Sequence, residues 1–175
     1  VVGSAAGGAV GSAAGQIARG HGCRVVGIAG GAQKCRHAVE QLGFDACVDH
    51  RVPDLAAALQ AACPTGVDIY FDNVGGAVRD AVWPLMRQNG RVVVCGLIAE
   101  YNGAPQPGPG WFQLLTQRLR VQGFILSDHL DRKADFLRDA GAWVREGRLR
   151  ASEFVYEGLE QTVPAFIAML LGGLW

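Results

Sequence analysis

The sequence predicts an α/β fold, a doubly wound parallel sheet followed by a C-terminal strand-helix tail. First, short apolar strands alternate with helices through most of the chain. Second, those strands are apolar throughout rather than alternating in polarity, the pattern of strands covered on both faces. Third, "SAAGGAVGSAAG" (4–15) places an uncharged, glycine-rich stretch where the first strand hands over to the first helix.

Val1 and Val2 read as the end of a strand that stops at about Gly3, with a helix starting near Gly8. "GCRVVGIAGG" (22–31) is a β-branched run closed by glycines, and "AQKCRHAVEQLGF" (32–44) has apolar residues at helical spacing and a Gly stop. The alternation continues with "DACVD" (45–49), "VPDLAAALQAACP" (52–64), "GVDIYFDNVGG" (66–76), "AVRDAVWPLM" (77–86) and "GRVVVCGL" (90–97). "IAEYNGAPQPGPG" (98–110) breaks the rhythm with three prolines and reads as a functional loop. A helix over 111–119 and a strand in "RVQGFIL" (120–126) follow, then an amphipathic helix over 131–146. "LRASEFVYEG" (149–158) has the partly alternating polarity of a strand, and 160–173 reads as a last helix. This tail departs from the doubly wound pattern, so the chain divides into residues 1–147 and 148–175.

At 175 residues the default is a single domain with a real core. The 16 basic and 16 acidic side chains cancel, which leaves no electrostatic footprint for nucleic acid or an anionic membrane and favours a small-molecule or protein partner. The five cysteines never fall in a C-x-x-C pair, as expected for reduced thiols of a cytoplasmic protein without a metal site. Residues 1–18 are uncharged, but five glycines interrupt them and no basic segment precedes them, which argues against a signal peptide or a membrane span. A chain opening on two valines reads as a fragment that begins inside a strand.

A flexible linker does not sit inside a strand-helix alternation. Gly8 and Gly11 instead suit a nucleotide-binding turn, in which backbone N–H groups at a helix N-terminus meet a pyrophosphate. The spacing Ala5, Gly8, Gly11 differs from G-x-G-x-x-G at its first position, and Gly8, Gly11 and Gly15 share one helical face, so tight helix packing is the competing explanation. An NAD-selective site places an acid at the end of the second strand; "GIAGG" (27–31) has none. Small residues without negative charge, beside Lys34, suit a 2′-phosphate and therefore NADP. The missing acid also weakens a methyltransferase reading.

The ordered set "SAAGGAVGSAAGQIA", "GCRVVGIAGGAQKC", "FDACVD", "VDIYFDNVGG", "VVVCGLIAEYN" and "EGLEQTVPAFIAMLLGG" resembles the medium-chain reductases of the prostaglandin reductase and leukotriene B4 12-hydroxydehydrogenase group, over nearly the whole chain. The resemblance implies zinc-free, NADPH-dependent reduction of the carbon-carbon double bond of α,β-unsaturated ketones and aldehydes. It implies a Rossmann domain beside a GroES-like catalytic domain, with 1–147 the NADP-binding part and 148–175 a segment returning toward the catalytic domain. It implies that Gly8, Ala9 and Gly11 form the pyrophosphate turn and that Lys34, beside Gly30, holds the 2′-phosphate. Asn73 would contact the cofactor, Cys95 and Gly96 would lie beside the nicotinamide, and Tyr101 would be the catalytic side chain near the nicotinamide ribose. His50 stands where the family commonly has a tyrosine packed by the 2′-phosphate, and Leu174 stands at an asparagine position.

Asn73 could equally be a helix N-cap. No Tyr-x-x-x-Lys occurs, and His21, His37 and His129 read as solvated surface positions. The rivals are a quinone reductase of the same superfamily and a non-catalytic nucleotide-binding fragment. Self-association, for instance as a homodimer, is expected from an apolar tail, and the chain alone is expected to turn over little or no substrate.

Overall fold

The computed structural model describes residues 1–102, 107–170 and 172–173. Six strands form one sheet: β1 (Val2–Ser4), β2 (Val26–Ala29), β3 (Ala46–Asp49), β4 (Val67–Asp72), β5 (Met86–Val94) and β6 (Arg120–Gly123). Their order is β3-β2-β1-β4-β5-β6, and every pairing is parallel. Val2 sits opposite both Val26 and Tyr70, so β1 is the centre from which the chain winds first one way and then the other. Between β1 and β4 the winding reverses, and in such sheets ligands bind outside the carboxyl ends at that point.

The helices are α1 (Ala9–Gly20), α2 (Ala32–Glu40), α3 (Leu55–Ala62), α4 (Gly76–Val82), α5 (Trp111–Thr116), α6 (Lys133–Arg145) and α7 (Thr162–Leu170). Strand periodicity divides the side chains between two faces. Val26, Ile28, Val48, Tyr70 and Val92 join Leu59, Val78, Val82 and Trp83 in one core, on the side of α3 and α4. Val25 and Ala29 join Ala6, Ala38, Leu42 and Phe44 in the other, on the side of α1 and α2.

The expected elements appear with two differences. β5 begins at Met86, not at residue 90, because its register against β4 shifts between Val67 and Ile69 and Asn89 takes φ 63°. A bulge of this kind is polar and turn-like in sequence although it lies inside a strand. The strand expected over 149–158 is not formed. Arg150 instead exchanges both backbone bonds with the buried Gln16 side chain, donating N–H to Oε1 at 2.8 Å and accepting from Nε2 at 3.0 Å. One side-chain amide thus stands in for a neighbouring strand. The tail leaves apolar surface open, Leu159 at 87% and Val155 at 79% exposure. His21 and His129 are exposed as expected, but His37 is half-buried, with Nε2 3.4 Å from the Ser152 hydroxyl.

Candidate functional site

The turn after β1 is compressed. Ala5 adopts φ 52°, a left-handed conformation that favours glycine, and its carbonyl accepts the Gly8 N–H at 2.9 Å. A Cβ on Gly11 would run into that same carbonyl, and one on Gly15 into the Phe44 ring. Both glycines therefore serve packing, while α1 starts at an N-cap, Gly8, that offers no side-chain bond. The first-turn N–H groups have no acceptor within the helix. A cavity of about 360 Å³ opens there, lined by Gly8, Ala9 and Ser12 on one side and by His37, Phe154 and Met169 on the other.

At the β1–β4 junction the organising group is Asp72, 1% exposed. Its Oδ1 accepts from Tyr70 Oη at 2.8 Å, Ser4 Oγ at 3.1 Å, Val74 N–H at 2.9 Å and Gly75 N–H at 3.0 Å. Burial, and then the Asp72 charge, push the Tyr70 phenol far up, so it remains a donor. Asn73 donates its N–H to Ser4 Oγ and its Nδ2–H to the Ser4 carbonyl, both at 2.8 Å. It is not the N-cap of α4, which is Gly75. The Asp72 carbonyl in turn accepts from Cys95 N–H at 2.7 Å and Gly96 N–H at 3.1 Å. One residue thereby sets the positions of Ser4, Asn73, Cys95 and Gly96.

Tyr101 lies beyond β5, 67% exposed. Its hydroxyl accepts the Leu97 N–H at 3.1 Å and stands 3.3 Å from where a Gly96 Cβ would be. Its loop is tied down by Glu100, whose Oε1 accepts from Gly76 N–H at 2.8 Å and from Arg79 Nη1 at 2.9 Å. The Arg79 and Glu100 side chains are only 10% and 15% exposed, and Arg79 also donates to the Pro107 carbonyl at 3.0 Å.

At the β2–β3 end the lining is basic. His50 Nε2 would stand 2.9 Å from a Gly30 Cβ, and the Arg51 guanidinium 3.3 Å from it, so a glycine there makes room for both side chains. Lys34, on the first turn of α2, has its ammonium pKa lowered by burial and by Arg51, and its Nζ comes within 3.7 Å of a Cβ built on Gly172. The acid absent from β2 is supplied from β3: Asp49 accepts from Gly31 N–H at 2.9 Å and Arg51 N–H at 3.0 Å.

Gly8, Ala9, Gly11, Gly30, Lys34, His50, Asn73, Cys95, Gly96 and Tyr101 thus all follow the carboxyl ends of strands, along one edge of the sheet. Leu174, and residues 103–106 of the loop after β5, lie outside the described residues. Sequence reading missed Ser4, Asp72, Glu100 and Arg51. An acid ending the apolar run "VDIYF" was a signal for Asp72, since a buried carboxylate requires donors. For Arg51 the signal was its place just beyond the strand that neighbours β2.

Among the described residues no group of three or more His, Cys, Asp and Glu side chains gathers as a metal site. Nor, among them, is any helix long and apolar enough to cross a membrane.

Known proteins are similar to this chain in sequence and fold. The chain is 48% identical to the NADPH-dependent curcumin reductase of Escherichia coli over 97% of its own length and 51% of the relative's. It is 43% identical to prostaglandin reductase 1 of Rattus norvegicus, over 97% and 52%. The crystal structure of CurA from Vibrio vulnificus in complex with NADPH superimposes with a TM-score of 0.92 at 46% identity, over 98% of this chain and 53% of that one. The chain spans about half the length of these relatives. The zinc-binding dehydrogenase family profile matches residues 9–143, and the chain belongs to that family.

Proposed function

We propose that this chain binds NADPH along the carboxyl edge of its sheet, as the cofactor-binding part of an oxidoreductase that reduces the carbon-carbon double bond of α,β-unsaturated ketones and aldehydes. The observation that carries the reading is the basic corner of Lys34, His50 and Arg51 over the Gly30–Gly31 turn, where Asp49 Oδ1 is taken up by the Gly31 and Arg51 N–H groups. It offers charge-assisted bonds to a 2′-phosphate. Ala9 and Gly11 would present backbone N–H groups to the pyrophosphate, and Gly8, whose N–H is held by the Ala5 carbonyl, would let it approach the backbone closely. Asn73, Cys95 and Gly96, fixed by Asp72, would line the nicotinamide end.

When bound, the nicotinamide supplies the hydride. Tyr101 then has a definite task. Its oxygen already accepts from Leu97, which leaves the phenol proton to donate to the carbonyl oxygen as negative charge develops there. The relatives named for curcumin and prostaglandin reduction support this substrate class. The five free cysteines suit a reducing, cytoplasmic setting, and the open apolar tail suits self-association, a dimer included.

The test is a fluorescence titration of the purified chain with NADPH and with NADH. NADPH should bind at least about tenfold more tightly, the worth of one charge-assisted bond. Equal affinities, or no binding of either, would overturn the reading.

A further inference from the structure

Two cysteines have no part in the site described above, yet border it. Cys35 lies on the first turn of α2, immediately after Lys34, and Cys47 lies in β3. Their sulfur atoms are 3.1 Å apart, with Cys47 donating its S–H. Glycine at position 27 helps to make this possible, because a Cβ there would stand 3.1 Å from the Cys47 sulfur and 2.8 Å from the Ala6 Cβ. The three other thiols lie elsewhere: Cys23 ahead of β2, Cys63 at the end of α3 and Cys95 at the end of β5.

We propose that Cys35 and Cys47 are an oxidation site, closed to a disulfide by a hydroperoxide, and that closure weakens NADPH binding by displacing Lys34. The Cys35 sulfur, as thiolate, attacks one peroxide oxygen; the O–O bond breaks, and the departing oxygen takes up a proton and leaves as water when the oxidant is hydrogen peroxide. The resulting sulfenic acid is attacked by the Cys47 sulfur, the S–O bond breaks, and hydroxide leaves with the Cys47 proton as a second water. Two thiols are oxidised by two electrons, and one peroxide is reduced to two waters.

The roles follow from the hydrogen bond. Cys35 receives it, which favours its thiolate, whereas Cys47 gives it. Burial pushes both thiols up, Cys47 further than Cys35, so Cys35 is the attacking group and the reaction quickens with rising pH. A disulfide bond is about 2.05 Å long, so the two sulfurs must draw about 1 Å together, and the first turn of α2 shifts toward β3 to the extent that side-chain rotation does not close the gap. Lys34 rides on that turn and moves with it. Only this coupling rests on the NADPH reading; the oxidation does not.

The experiment treats the full chain with hydrogen peroxide near pH 8, alkylates it in denaturant and maps the peptides by mass spectrometry. The expected product is a Cys35–Cys47 link with Cys23, Cys63 and Cys95 alkylated. Cys47→Ser should stop at a Cys35 sulfenic acid that dimedone traps. The oxidised chain should bind NADPH about fivefold more weakly than the reduced chain. NADH affinity should not change, and dithiothreitol should restore NADPH binding. Alkylation of both positions, or linkage to another cysteine, would overturn the oxidation site. A linked chain with unchanged NADPH affinity would overturn the coupling. If the reduced chain binds no NADPH, the cofactor reading fails and the coupling with it, while the peptide map still decides the oxidation.

Discussion

At the β1–β4 junction a carboxylate that is 1% exposed gathers four donors onto one oxygen, whereas at the β2–β3 end basic side chains stand half-open or fully open over two glycines. The buried junction is satisfied from within and has no charge to offer a ligand. The open end has charge to offer, with its backbone fixed by Asp49 and its basic side chains half-open or open to solvent. A site that must both align a reacting group and choose between two dinucleotides gains from this separation. Alignment needs groups that do not move, and selection needs a cation that can meet a phosphate at modest desolvation cost.

Breaking the buried junction should have the largest effect. Asp72→Ala leaves the Ser4 and Tyr70 hydroxyls and two backbone N–H groups without their acceptor, and should lower unfolding free energy by upwards of about 4 kcal/mol, read by urea denaturation. Next comes the clamp on the Tyr101 loop. Arg79→Met leaves the partly buried Glu100 carboxylate with the Gly76 N–H but without its cation, and should cost about 1.5 to 3 kcal/mol. A loss below 1 kcal/mol would mean that the loop does not depend on this pair.

A smaller effect of opposite sign is expected in the turn that joins the two regions. Ala5→Gly relieves the left-handed strain at φ 52° and should stabilise the chain by about 1 kcal/mol, a rise of about 2 to 4 °C in melting temperature.

The smallest effect concerns the open end. Backbone N–H groups of Gly31 and Arg51 hold the Asp49 carboxyl below its ordinary value of 3.8. A depressed folded-state value contributes stability that is full above the unfolded value and is lost as pH falls through the folded one. Below about pH 4 the native chain should therefore lose melting temperature faster than Asp49→Asn, whose amide keeps the same acceptor at every pH. Parallel acid limbs for the two proteins would count against the assignment.

The buried framework was the more legible part of the sequence. Runs such as "GCRVVGIAGG" and "VDIYFD" carry both period and boundary, and apolar burial on two faces leaves few alternatives to a parallel sheet. The start of β5 was hidden because "RQNG" reads as a turn while forming a bulge. The segment 149–158 misled because its partly alternating polarity suits a strand, whereas Arg150 bonds through its backbone to Gln16, a partner more than a hundred residues away that no local pattern announces. Asn73 and Tyr101 were singled out by the family resemblance of "FDNVGG" and "EYN". Ser4, Asp72, Glu100 and Arg51 emerged only once strands distant in sequence were side by side.

The central claim, that the buried junction positions and the open end selects, is tested most directly by the ratio of NADPH to NADH affinity. It would be measured for the native chain, Lys34→Ala and Ser4→Ala. Lys34→Ala should cut NADPH affinity at least about tenfold and leave NADH unchanged, collapsing the ratio. Ser4→Ala, which loosens Asn73 without touching the basic corner, should weaken both cofactors alike and preserve the ratio. A ratio that survives Lys34→Ala, or one that Ser4→Ala changes, would contradict the division of labour.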